Sequence, residues 1–420
     1  MTEKLLQYIW QFGFYNHNHL TTTTGEPVQV LFAGNLNTHQ GPDFSDARIR
    51  IGNTLFAGQV ELHVKTSDWQ RHRHSSDENY RNVILHVVYQ NDEQESALPL
   101  VELQPLVSSV LLHRYESWMS SPSFIPCAAS LGMVKEITWV AWKERLLVER
   151  LSRKAEAVLA LFEESNHHWE ETFWWLLARN FGLKVNAEAF EAVARSIPVN
   201  LLARHKNQIH QLEALLLGQA GLLQDDFKEE YPKLLQREYR FLQHKYNLRP
   251  VAVPVHFLRM RPVNFPTVRL AQLAAFILNA AHLFSTIIET ETVTELKSLF
   301  SVTANDYWHY HYRFDEVSEF RMKRLGGDMI SNLVINTVVP VVFAYGRYFK
   351  KQPLQYKALR WLEETAAESN AITRGFVQLN IANKTAYDSQ ALIELKNQYC
   401  AARRCLYCSV GNAILKNGAI

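Results

Sequence analysis

The residues best suited to chemistry lie near the start of the chain. Gly41-Pro42-Asp43-Phe44 is followed by Gly58-Gln59-Val60-Glu61-Leu62-His63-Val64-Lys65. In a strand, alternate side chains share a face. Val60, Leu62 and Val64 would then enter a core, and Glu61, His63 and Lys65 would line the opposite face at intervals of about 6.6 Å. An acid, an imidazole and an amine in one row are unusual for plain β structure. Asp43 and Glu61 supply two hard carboxylates, the ligand type that holds Mg²⁺ or Mn²⁺ for phosphodiester hydrolysis. Lys65, with His63, can orient an attacking water or offset charge developing on phosphate. His72, His74, Asp77, Tyr80 and His86 follow and are expected around the same site. The i, i+2 pair His72/His74 suits a transition metal or a solvated loop, and His86, inside the apolar run VILHVVY, suits this site or a satisfied core position.

A second constellation closes the chain. Cys400, Cys405 and Cys408 have C-x4-C-x2-C spacing, and one further cysteine, Cys127, stands far upstream. Four thiols are enough for a tetrahedral Zn²⁺ or an iron–sulfur cluster. Reduced cysteines buried as small hydrophobes are the plain alternative. A third feature is basic. Arg259, Arg261 and Arg269 flank Pro262, Asn264, Phe265 and Pro266, and an arginine-rich loop leading into a helix can hold the phosphates of a nucleic acid. The run Tyr307-Trp308-His309-Tyr310-His311-Tyr312 reads as core packing with polar tips, or as a base-stacking platform.

These residues need elements to position them. The first 110 or so residues read mainly as strand after an amphipathic helix around Glu3 to Gln11. Strand candidates are VQVLFAGNLN, ARIRI, LFAGQVELHVK, VILHVVY and LPLVELQ, with Gly52-Asn53 as a hairpin signal and SSDENYRN as a short helix. From about residue 135 the apolar residues recur at helical spacing, for example in ITWVAWKERLLVERLSRKAEAVLALFEES, WEETFWWLLARNFG and TVRLAQLAAFILNAAHLF. The expected fold class is α+β: a small mixed-sheet α/β domain over residues 1–125, then a larger, mainly helical domain over 126–420 carrying the cysteine cluster.

The element order of the first domain resembles the PD-(D/E)XK nuclease core, in which an Asp starts the second strand and E-x-K sits on the third. Pro42-Asp43 matches the first position and Glu61-Leu62-His63 the second. His63 stands where that pattern has Lys, and Lys65 lies two residues on. Across nearly all of its length the chain also resembles a bacterial family, domain-of-unknown-function family 2851. The segments GPDFSDARI, GQVELHVKTSDWQRHRH, NVILHVVY, WEETFWWLLARNFG, RMRPVNFPTVRLAQLA and CLYCSVGN carry that resemblance. The first resemblance implies a metal-dependent, nuclease-like phosphodiester hydrolase acting on nucleic acid. The displaced lysine keeps open a non-catalytic nucleic-acid-binding or scaffold protein built on the same fold.

Composition narrows the remaining classes. Hydrophobic residues make up 47% of the chain and charged residues 20%, which excludes a disordered protein. A net charge of +2 makes any nucleic-acid surface local rather than global. The longest apolar stretch, Leu333 to Tyr345, is interrupted by Asn336 and Pro340, so no membrane association is expected. The N-terminus lacks a signal-peptide pattern, and a cytoplasmic location with reduced cysteines is expected. No Walker, G-x-S-x-G, H-E-x-x-H or dinucleotide pattern is present.

Overall fold

The computed structural model describes residues 1–417 other than Thr38, Arg73, Gln94, Glu95, Arg259, Ala280 and Ala281. It divides into two compact units. One comprises Met1–Arg145 together with Ile393–Ile420, and the other comprises Leu146–Leu392. The linear division at 125/126 therefore differs from the compact units, because the cysteine-bearing tail is part of the sheet unit. The cuts fall inside the helices Glu136–Glu164 and Ala386–Glu394.

The sheet unit begins with helix α1 (Glu3–Phe12), capped by the Thr2 side chain and ended by Gly13 in the left-handed region. Its apolar face, with Leu5, Leu6, Ile9 and Trp10, is buried, and the helix packs on the sheet. The strands are β1 (Val28–Phe32), β2 (Asn35–Leu36), β3 (Phe44–Ile51), β4 (Thr54–Lys65), β5 (Val83–Gln90) and β6 (Leu100–Glu102). They order as β1-β3-β4-β5-β6, with β2 pairing alongside β3. The β1, β3 and β4 pairings are antiparallel, whereas β4–β5 and β5–β6 are parallel. Gly52-Asn53 turns the β3–β4 hairpin as its dipeptide predicts.

Two irregularities shape the region beside Asp43. The register of β3 against β4 shifts between Phe44 and Ala47, and Asp46 inside this bulge has φ 58°. A bulge bends a strand and re-aims its neighbours. At Gly58 a Cβ would lie 2.5 Å from the Ile84 side chain and 2.7 Å from the Asn82 carbonyl, so glycine is what lets β5 close onto β4 there.

Because β4 and β5 are parallel, their connection must cross a face of the sheet. That connection holds a single helical turn, α2 (Asp68–Arg71), and two 3-10 turns, His74–Ser76 and Glu78–Tyr80. It is mostly irregular chain, and it carries His72, His74, Asp77 and Tyr80.

The helical unit is built as its 3.6-residue periodicity predicts. Helices Trp169–Phe181 and Leu183–Ser196 pack together and bury Phe173, Trp174, Phe181 and Phe190 almost completely. Each such side chain contributes roughly 2–3 kcal/mol of burial. Asn336 and Pro340 do not interrupt the helical run Gly327–Tyr348 as the sequence suggests. A π-type turn at Val334–Val338 precedes Pro340, and Lys154 donates to the Asn336 side chain at 2.9 Å. This run is long and apolar enough to cross a membrane by length and composition, and 78% of its most apolar window is buried inside the protein.

Candidate metal centre

Strand β4 is buried on both faces near its C-terminal end. Val60 and Leu62 fill one side, while Glu61 and His63, 5% and 1% exposed, occupy the other. Burying polar groups costs about 1–3 kcal/mol each unless partners replace water. Here the partners are mutual. The Asp43 backbone N–H donates to Glu61 Oε2 at 3.0 Å, and the Leu62 N–H donates to Asp43 Oδ2 at 3.1 Å. Gln7 of α1 donates to Asp43 Oδ1 at 2.8 Å. Asp43 and Glu61 thus clasp each other across the β3–β4 pair, and Glu61 keeps Oε1 free to face inward.

That inward oxygen meets imidazoles. Glu61 Oε1 lies 3.6 Å from His63 Nε2 and 3.5 Å from His74 Nε2. One ring nitrogen each from His63, His72 and His74 falls within 4.8 Å of the other two. His63 Nδ1 and His86 Nε2 are 2.9 Å apart and share a hydrogen bond. His86, opposite Glu61 in the parallel register, therefore belongs to the site rather than to the core alone. His74 Nε2 is buried and makes no hydrogen bond, a lone pair or proton without a partner at the centre of the cluster. Tyr80 stacks on the His74 ring with centroids 3.9 Å apart, and Trp69 lies against His63, His74 and His86.

Electrostatics follow from burial. The Glu61 carboxyl is pushed up to about 8 by desolvation, with the Asp43 charge adding to it, and Asp43 rises to about 6 from desolvation. Burial first, then neighbouring imidazoles, brings His63 down to about 3 and His86 to about 4, and burial lowers His74 as well. His63, His74 and His86 are thereby held neutral, the form that ligates metals. Imidazoles with one carboxylate suit a transition ion such as Zn²⁺ or Mn²⁺ better than Mg²⁺. The orphaned His74 nitrogen and the close donors fit such an ion.

The remaining expected residues fall into place differently. Lys65 closes β4 with its side chain half exposed, and its ammonium faces Asp92 at 3.9 Å instead of the histidines. The strand ends there because Thr66 and Ser67 are held by Asn91 and Asp92. Asp77 caps a 3-10 turn through Asn79 and stands near enough to act electrostatically on His74. Gln7, Asp68 and Trp69 were not singled out by residue spacing. Asp68, buried, accepts from the Lys65 N–H at 3.1 Å and pairs with Arg71 at 2.8 Å. The cap-like sequence Thr66-Ser67-Asp68 signals that turn, whereas nothing local signals Gln7.

The sequence matches the family described as "Protein of unknown function (DUF2851)" over residues 3–371. The chain belongs to this family. No match was found among curated proteins or among solved structures. The matched span of this DUF2851 member includes the whole histidine cluster and also the basic loop of the helical unit.

In that loop Arg259 lies outside the described residues, and Arg261 is exposed at the start of the 3-10 turn Pro262–Asn264. Arg269 is buried and donates to Gln272 at 2.8 Å and Asn264 at 2.6 Å, amides rather than the acids expected of a structural arginine. Its Nε has no partner, and burial lowers it to about 10. With Arg321, Lys323 and Arg324 it lines a cavity of about 450 Å³. The aromatic run is mainly core: Trp308 is fully buried and donates to Glu213, while Tyr310 is half exposed.

Proposed function

We propose that the chain is a metal-dependent hydrolase of phosphodiester bonds in nucleic acid, with a transition ion held by His63, His72, His74 and Glu61. The observation that carries this reading is the convergence of three histidine nitrogens and the free Glu61 oxygen around the unpartnered His74 Nε2. An ion bound there supplies Lewis acidity toward a phosphoryl oxygen and a water acidic enough to attack near neutral pH. The protein's own groups do the rest. Asp43 and its N–H orient Glu61, so that Oε1 points at the reacting side. Through that oxygen Glu61 would serve as a ligand of the ion beside the imidazoles. His86 fixes the tautomer and ring plane of His63, the usual task of a hydrogen-bond partner behind a ligating imidazole. Trp69 packs edge-on against His63 and Tyr80 stacks on His74, which holds these rings in place while His72 stays open to solvent.

The phosphodiester assignment leans on the PD-(D/E)XK resemblance. An N-terminal helix, an antiparallel β1-β3-β4 meander and a β5 parallel to β4 support it, with Asp43 immediately before β3 and Glu61 on β4. The departure is again the lysine, since Lys65 faces Asp92. That observation favours the second reading, a nucleic-acid-binding protein that kept the fold without the cleavage chemistry.

One experiment separates them. Single- and double-stranded DNA and RNA are incubated with the full chain and Mn²⁺, Zn²⁺ or Mg²⁺, beside Glu61→Ala and His74→Ala. Metal-dependent cleavage by the wild type, lost in both variants, is expected. Binding that falls with salt and survives Glu61→Ala, without cleavage, selects the second reading. Neither cleavage nor binding rejects both.

A further inference from the structure

The four cysteines of this chain, which the histidine chemistry does not use, come together. Cys127, Cys400, Cys405 and Cys408 are all buried and none is in a disulfide. Cys400 interacts electrostatically with the other three, Cys127 with Cys405 and Cys408, and Cys405 with Cys408, so every pair of thiols lies in one neighbourhood.

The surrounding chain is arranged to hold them. Arg403 donates to the carbonyls of Trp118 and Ser121, Lys396 to that of Phe124, and Arg114 to that of Ile414 at 2.8 Å. These bonds clamp the tail onto the segment that leads into Cys127. Cys408 is the N-cap of helix Ser409–Lys416, and the N–H groups of Val410 and Gly411 lie at its sulfur. A Cβ at Gly411 would lie 2.3 Å from the Cys405 carbonyl, so the helix start rests directly on the Cys405 turn. Trp142, 2% exposed, has an indole N–H with no geometric partner, and Cys408 is the sulfur it acts on. An indole donor buried beside thiols is satisfied by a more strongly accepting thiolate or sulfide.

Spacing discriminates between the two obvious occupants. A tetrahedral zinc with Zn–S bonds near 2.3 Å brings its sulfurs to about 3.8 Å from one another. Among the described residues, no three cysteine sulfurs approach within 4.8 Å, although three histidine nitrogens do. A four-iron cubane spreads one thiolate to each corner, with sulfurs about 6–7 Å apart. Lys396 acts electrostatically on Cys400 and Arg403 on Cys405, so two cations lie in the same neighbourhood as the four sulfurs.

We infer that Cys127, Cys400, Cys405 and Cys408 ligate a [4Fe–4S] cluster that staples the C-terminal segment to the segment around Cys127. Its role is structural, since metal binding adds directly to folding free energy, and it is independent of the histidine centre.

The test is iron and acid-labile sulfide analysis, with absorption and reduced-state electron paramagnetic resonance spectra, on full-length protein purified without oxygen and reconstituted with ferrous iron and sulfide. About four irons and four sulfides per chain and a broad visible band that bleaches on reduction are expected. Cys405→Ser and Cys408→Ser should lower the iron content at least about tenfold, and His74→Ala should leave it unchanged. The wild-type analysis decides the matter even if the serine variants do not fold. One zinc per chain bound by these thiols, or reconstituted wild type without iron or sulfide, would overturn the assignment.

Discussion

Glu61 of the sheet unit and Glu213 of the helical unit are both buried, and in different company. Glu213 in the helical unit is fully enclosed. Its Oε2 accepts from the Tyr231 hydroxyl at 2.8 Å and from the Trp308 indole at 2.9 Å, and burial pushes the carboxyl up to about 7. Glu61 in the sheet unit is pushed up to about 8, yet its free oxygen faces two imidazoles, with a third and fourth nearby. Raised carboxyl pKa values alone would treat the two alike. What differs is the neighbours: neutral donors from large aromatics anchor a core, whereas neutral imidazoles, one with an unused nitrogen, are what a metal ion requires. A perturbed acid is thus evidence for a site only together with the chemistry around it.

The sharpest way to break this contrast is to titrate metal. Zn²⁺ or Mn²⁺ binding to the protein, followed by calorimetry, should weaken by about 100-fold or more in His74→Ala and His63→Ala, while Glu213→Gln should bind as wild type does. Equal affinity in all three proteins would erase the distinction between the two glutamates.

The next effect belongs to Glu213. Its folded pKa, about 7, lies above its ordinary 4.5, so the folded state binds that proton more tightly. Its contribution to stability is complete below pH 4.5 and is lost as pH rises through about 7, an amount on the order of 3 kcal/mol. Denaturant unfolding at pH 5 and pH 8 should therefore show a larger loss on raising pH in wild type than in Glu213→Gln. An identical pH dependence in the two proteins would contradict the burial argument.

His86 tests the support behind the ligands. His86→Ala should reduce metal affinity about 10- to 100-fold without abolishing it, the size expected for a partner of a ligating imidazole. Its folded pKa, about 4, is depressed below 6.5, so in metal-free protein it contributes stability above pH 6.5 that is lost as pH falls toward 4. The variant should soften that acid-side loss when unfolding is followed by circular dichroism. The smallest change is expected at Lys65. With its side chain 53% exposed and its ammonium 3.9 Å from Asp92, Lys65→Ala should shift stability by less than about 0.5 kcal/mol and leave metal affinity as it is. A large loss of affinity would return Lys65 to the site.

The strands and their faces were legible because a period of two is written directly in VQVLF, ARIRI and GQVELHVK. The Gly52-Asn53 hairpin signal sets the register of β3 on β4 as far as Ala47 opposite Gly58, but the meeting of Asp43 with Glu61 depends on the shift between Phe44 and Ala47, which no turn signal announces. Gln7 was not legible. A glutamine on an amphipathic helix carries no mark of the carboxylate it will meet on a distant strand. Nor was the fate of His72 and His74, whose spacing suits a loop as well as a metal, or of Lys65, whose place on the shared face was undone by the end of the strand.

By itself the sequence determined the α+β division, the strand and helix spans, the shared face of Glu61 and His63, and the cysteine spacing, since all of these rest on local periodicity and turn chemistry. The tertiary structure alone decided that the β4–β5 connection crosses the Glu61 face and lays His72 and His74 upon it. It alone decided that the C-terminal cysteines return to Cys127, and that a buried arginine, Arg269, faces amides in a basic cavity. Such convergences depend on the direction of a strand pairing and on contacts between distant segments, and no local pattern of residues encodes either one.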